Sequence, residues 1–206
     1  AITEIEEQFI ISNTSNLPLV VMGVSGCGKS TLGTQLSQSV ERKFFEGDDY
    51  HSPQNVEKMK AGHPLTDQDR IPWLNQLGQL LDKSDHPAIL SCSALKYTYR
   101  EILRSCTKPL FFIHLALDRD SAYERLTQRT DHFFAPTLLD DQFAQLELLK
   151  TTERGVTLPS ELSPNELIHR VFKFNKQKEG PFAQRSLCFV FRVNFGSELP
   201  QTQLPY

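Results

Sequence analysis

The apolar run LPLVVM at residues 17–22 passes directly into GVSGCGKS at residues 23–30. The octapeptide fits G-x-x-x-x-G-K-[ST], and helical spacing follows at Leu32, Leu36 and Val40. This order predicts a strand buried on both faces, a phosphate-cradling loop and a helix. The glycines let backbone N–H groups turn inward, and the positive end of the helix faces the same space. In this motif the lysine, Lys29, reaches the β- and γ-phosphates, and the hydroxyl of Ser30 ligates Mg²⁺. Gly23, Ser25, Gly26, Cys27, Gly28, Lys29, Ser30 and Thr31 are therefore the expected ATP-binding set, with Cys27 as a small filler residue.

Beyond the loop the pattern keeps alternating. Strands are expected at 43–46, 88–90 and 110–117, with a short fifth at 155–158. Ser52-Pro53 opens a helix that Gly62 closes, and Thr66 with Asp69 caps one carrying Ile71, Leu74, Leu77 and Leu81. Further helices fit 97–106, 120–130 and 137–149, and Ser163 to Glu166 reads as a capping box opening a last helix to about Phe174. Alternating β and α elements imply a parallel α/β sheet covered on both faces. The expected division is an N-terminal extension over 1–16, a kinase-like domain over 17–174 and a tail over 175–206.

A net charge of −3 leaves no basic footprint, so nucleic acid is not an expected partner. No apolar run approaches the roughly 20 residues a membrane span needs. Cys27, Cys92, Cys106 and Cys188 show no paired or metal-ligand spacing, which predicts free thiols and a reducing, cytoplasmic setting. There is no N-K-x-D guanine motif and no apolar run ending in Asp-Glu, which weighs against GTPases and many motors.

Several side chains suit the chemistry on the acceptor side. Asp48 follows the second strand, where open α/β sheets place ligands. A carboxylate there accepts the proton of an attacking hydroxyl and helps hold Mg²⁺ through water. His51, Asn55 and Lys58 share one helix face on their spacing, which suits either a polyol chain or solvent. Arg70 is either a surface partner of Asp67 and Asp69 or a carboxylate clamp. Lys96 and Arg100 are four residues apart, and two such cations repel unless an anion lies between them. Trp73 is expected in the core.

Four blocks in order resemble the gluconokinase family, a branch of the P-loop kinases related to shikimate and nucleoside monophosphate kinases. Residues 20–30 carry its opening VVMGVSGxGKS. Gly47, Asp48, His51, Asn55, Lys58, Met59, Gly62, Pro64, Leu65, Asp67, Asp69, Arg70, Pro72, Trp73 and Leu74 carry the second block. Cys92 to Lys96 with Tyr99 and Arg100 carry the third, and Arg125, Arg129, His132, Phe133, Leu138, Leu139, Gln142 and Phe143 the fourth. The family's acidic closing strand has no counterpart in 155–158, nor has the segment from 175 onward.

The resemblance implies a nucleoside monophosphate kinase-type fold, a five-stranded parallel sheet flanked by helices on both faces, with a lid around 125–138. It implies phosphorylation of D-gluconate at its 6-hydroxyl by ATP–Mg²⁺, with Asp48, Lys29 and Arg129 catalytic and Ser30 and Asp48 at the metal. His51, Asn55, Lys58, Arg70, Ser93, Lys96 and Arg100 would bind the sugar acid, Arg125 would stack on adenine, and a homodimer is suggested. Another P-loop kinase acting on shikimate or a nucleotide, and an inactive nucleotide-binding scaffold, remain open alternatives.

Overall fold

The computed structural model describes residues 17–107, 109–128 and 138–177. The expectations for 1–16, for Arg129 and most of the lid, and for the tail beyond 177 lie outside the described residues. Five strands, β1 (Leu19–Met22), β2 (Phe44–Glu46), β3 (Ile89–Ser91), β4 (Phe111–Ala116) and β5 (Gly155–Pro159), form one parallel sheet in the order β2-β3-β1-β4-β5. The fifth strand forms without the family's acidic residue. Val156 and Leu158 are buried, and the strand pairs in register from Phe112–Gly155 to Ala116–Pro159.

Seven helices join the strands among the described residues: α1 (Lys29–Val40), α2 (Pro53–Lys60), α3 (Asp67–Asp82), α4 (Tyr97–Cys106), α5 (Arg119–Thr127), α6 (Leu139–Gln145) and α7 (Pro164–Gln177). Their starts follow the caps read in the sequence. Ser52 accepts from Asn55 N–H at 3.2 Å, and Thr66 and Asp69 close a reciprocal capping box. Ser163 and Glu166 do the same for α7. Three helices differ from expectation, α7 by running to Gln177, past the expected end near Phe174. α5 starts at Arg119 because Asp118 caps it, and α6 covers only 139–145 of the expected 137–149. None of the described helices is long and apolar enough to cross a membrane.

The strand period of two divides the core. Leu19 and Val21 of β1 face Leu32, Leu36, Val171 and Phe172 of α1 and α7, while Val20 and Met22 face Leu74, Leu77 and Leu103 of α3 and α4. Each fully buried aliphatic side chain contributes about 1.5–3 kcal/mol. Neighbours β3 and β4 leave β1 in opposite directions, so the chain reverses its order beside β1. Ligands of open α/β sheets bind at the carboxyl ends of strands at such a switch point. The phosphate-loop motif begins at the residue after β1.

Candidate active site

The loop after β1 has the backbone the motif predicts. Gly23 has φ 141°, and a Cβ there would lie 2.8 Å from both Cys27 Sγ and Leu115 O. Gly28 caps α1 in the left-handed region, at φ 96°. Side chains at either position would distort the cradle, so the loop suits a phosphate group approaching α1 from its N-terminus. Lys29 Nζ donates to Val24 O at 3.1 Å. Cys27 is buried, which pushes its thiol pKa up despite Lys29, and the neutral filler role expected of it fits.

A cleft opens on one side of this loop, lined by Ser25, Lys29, Asp48, His51, Arg70 and Ser93. Asp48 comes from a short 3-10 turn, Gly47–Tyr50, that continues β2. Trp73 holds that turn by donating from Nε1 to Gly47 O at 2.8 Å, so this core residue is also a wall of the cleft. His51 stacks on Trp73 with ring centroids 4.1 Å apart and an interplanar angle of 18°. Its side chain is 4% exposed, with Nε2 3.9 Å from Asp48 Oδ1 and Nδ1 buried without a partner. Burial lowers the His51 pKa, against the pull of Asp48 and with the help of Arg70, so the ring is neutral near pH 7.

Arg70 makes neither of the surface ion pairs open to it on sequence. Its Nη1 donates to Leu65 O, to Tyr99 Oη at 3.3 Å and to Gln145 Oε1 at 3.2 Å, and among the described residues no carboxylate pairs with it. A guanidinium oriented by neutral acceptors beside a cleft keeps its charge available for an anion.

Four expected acceptor-side residues are engaged elsewhere. Asn55 is buried, with Nδ2 on Asp69 O at 3.1 Å. Lys58 pairs with Asp69 Oδ2 at 2.6 Å, which with the Thr66 hydrogen bonds depresses that carboxyl's pKa. Both residues tie α2 to the start of α3. Lys96 pairs with Asp67 Oδ1 at 2.8 Å. Arg100 is fully buried. Its Nε and Nη2 meet Glu153 at 2.7 and 3.0 Å, and its remaining N–H groups meet the carbonyls of Ala94, Leu95, Glu147 and Leu148. Lys96 and Arg100 are paired with separate carboxylates, Asp67 and Glu153.

A second cavity of about 370 Å³ lies against the same loop and holds Gly26, Gly28, Thr31 and Arg125. Arg125 Nη1 donates to Ser160 Oγ at 3.2 Å and to Gly26 O at 3.4 Å. Ser160 and Leu162, from the turn between β5 and α7, and Pro164 at the start of α7 complete the cavity. Gln35 of α1 also lines it, and its Oε1 is buried with no partner. The loop thus separates a wide cavity from a narrower polar cleft.

Among the described residues no three His, Cys, Asp or Glu side chains gather as a metal site. The Ser30 hydroxyl of the motif and the Asp48 carboxylate of the cleft are oxygen donors that could serve a cation there. Such a sparse set fits Mg²⁺, which takes one or two protein oxygens together with phosphates and water.

Residues without an expected role are Gln142, Gln35, Ser160 and Glu153. Gln142 accepts from Ser25 N–H at 2.6 Å, a contact spanning 117 residues. The sequence carried a signal for Gln142 alone, its place in the fourth block.

A shikimate kinase family model matches residues 25–166. A curated gluconokinase of Gluconobacter oxydans (strain 621H) is 42% identical over 158 residues, spanning 75% of this chain and 89% of the relative. A sugar kinase structure from Janibacter sp. HTCC2649, solved unliganded, superposes with a TM-score of 0.74 at 38% identity, covering 79% of this chain and 95% of that one. A gluconokinase structure from Sinorhizobium meliloti 1021 gives a TM-score of 0.71, also at 38% identity, with 79% and 93% covered.

Proposed function

The chain belongs to the gluconokinase family of P-loop kinases, and from that premise we propose that it transfers the terminal phosphoryl group of ATP to the 6-hydroxyl of D-gluconate. The products are ADP and 6-phospho-D-gluconate. One observation carries the reading: a single phosphate loop faces a wide cavity on one side and, on the other, a cleft pairing Asp48 with an arginine free of carboxylates. The shikimate kinase model describes the wider fold, and the gluconokinase relatives narrow the acceptor to a sugar acid.

In this reading the nucleoside occupies the cavity of Arg125 and Ser160, where Gln35 Oε1 is an acceptor suited to an exocyclic amino group. The loop N–H groups and Lys29 hold the phosphates. Mg²⁺, held by Ser30 and aided by Asp48, neutralises phosphate charge when bound. Arg70 clamps the carboxylate of the sugar acid, and Ser93 and neutral His51 hydrogen-bond its hydroxyls. Asp48 accepts the proton of the attacking hydroxyl. Most of the rate enhancement comes from positioning and charge neutralisation, because phosphoryl transfer passes through a loose transition state. A catalytic role for Arg129 belongs to the same proposal, as do the homodimer that the resemblance implies and the cytoplasmic setting read from the cysteines.

A coupled ADP-release assay with gluconate, shikimate and AMP tests the reading. Gluconate should turn over well and the other two near background. Faster turnover of shikimate or AMP would replace the proposed acceptor.

A further inference from the structure

Helix α6 presents a polar face to the cleft, and this face touches both ends of the proposed reaction. Gln142 is 9% exposed, lines the cleft and accepts the Ser25 N–H of the phosphate loop on Oε1 at 2.6 Å. Three residues on, Gln145 Oε1 accepts from Arg70 Nη1 at 3.2 Å. Residues three apart share a helix face, so one side of α6 bridges the phosphate loop and the arginine assigned to the acceptor's carboxylate.

The anchor fixes which way the Gln142 amide points. A backbone N–H can be met only by the amide oxygen, so Nε2 with its two donors is turned away from the loop. Among the described residues no oxygen accepts from Nε2. An amide donor in a half-enclosed polar cleft is costly to leave unmet, and a polyol supplies hydroxyl oxygens at the spacing of its carbon chain.

We propose that Gln142 positions the acceptor: anchored to the phosphate loop through Oε1, it donates from Nε2 to a hydroxyl oxygen of the sugar acid. This keeps the reacting hydroxyl in register with the bound phosphates. The inference rests on the acceptor being gluconate, and it adds a specificity contact that the loop motif and Asp48 do not provide. A misplacement of about 1 Å costs on the order of 10²-fold in rate, so a residue joining loop to acceptor has leverage out of proportion to one hydrogen bond.

Two variants separate the anchor from the donor. Gln142→Glu keeps the length and the acceptor for Ser25 N–H but loses the N–H donors, and Gln142→Leu loses both. Each should lower kcat/KM for gluconate by about 10–100-fold, while Gln142→Leu keeps the Kd for ATP–Mg²⁺ within about threefold. The Gln142→Glu deficit, taken as a ratio to wild type, should shrink toward low pH, where the carboxyl gains an O–H donor. Wild-type kinetics in Gln142→Glu would overturn the proposal, since the anchor alone would then suffice. A Gln142→Leu loss matched by an equal rise in the Kd for ATP would overturn it too, making Gln142 a nucleotide-site residue. If Gln142→Leu does not fold, Gln142→Glu and its pH ratio decide. Failure of wild-type enzyme to phosphorylate gluconate would remove the proposed function itself, whereas these variant outcomes bear only on Gln142.

Discussion

Arg70 and Arg100 sit on the packed pair of helices α3 and α4, and they have opposite fates. Arg70 reaches a cleft, held by a carbonyl, a phenol and an amide, with no ion pair to any described carboxylate. Arg100 is sealed in protein, and every N–H it owns is used, two of them on Glu153. The difference shows what marks a ligand-binding arginine. Residue type and helical spacing are shared by both regions; spare donors and a guanidinium without an ion pair are found in only one. A buried arginine paired with a carboxylate organises the backbone around it, here the 94–95 and 147–153 stretches. An arginine oriented by neutral groups is left with charge to give to an anion.

Substitutions that divide stability from catalysis would break this contrast or sharpen it. The largest effect is expected at Glu153. Its partners Arg100 and Arg104, with the Lys150 N–H, hold its carboxyl below the usual range although burial alone would raise it. Glu153→Ala leaves the Arg100 charge buried and unpaired, which should cost about 3–5 kcal/mol in urea unfolding. The KM for gluconate of the folded variant should stay near wild type. A loss below about 1 kcal/mol would mean that the corner does not depend on the pair.

Cleft substitutions should give the mirror image. Asp48→Asn is expected to lower kcat by roughly 10²-fold, and Arg70→Met to raise the KM for gluconate by about 10–100-fold. Each should leave the unfolding midpoint close to wild type. If Arg70→Met unfolds the protein while keeping KM, Arg70 is a structural arginine like its neighbour, and the contrast disappears.

The last effect concerns pH. His114, buried in β4 with Nδ1 3.3 Å from Thr157 Oγ1, has its pKa lowered to about 4, first by burial and then by Arg100. Its unfolded value is about 6.5, so below that pH the unfolded chain takes up a proton that the folded chain refuses. Stability should therefore fall as pH drops from about 6.5 to 4, and Glu153, with its lowered pKa, extends the loss to lower pH. His114→Gln should flatten the upper part of the curve. An unchanged slope between pH 6.5 and 4 in that variant would assign the loss to other groups.

Much of the fold was legible because the signals are local. Apolar runs marked all five strands within one or two residues, and the capping residues at 52, 66 and 163 placed three helix starts. The less legible parts depend on partners distant in sequence. Arg100 reads as a site residue until Glu153 is brought against it across 53 positions. Asn55 and Lys58 read as a binding face until α3 delivers Asp69. Within α3, Ile71 fits the apolar spacing yet is 43% exposed, while Trp73 is buried and bonded to the Gly47 turn. Gln142 was visible as a motif letter, but its contact with Ser25 was not.

Trp73 is the only tryptophan in the chain, and it stands between the Asp48 turn and the His51 ring. Indole emission responds to a stacked imidazole and to the polarity of its surroundings. The arrangement therefore gives the molecule a native optical reporter at the acceptor side alone, since the loop's other cavity holds no indole. Excitation at the red edge of the protein band follows one residue without a label. Occupancy of the acceptor cleft can then be titrated by light while the nucleotide side stays dark.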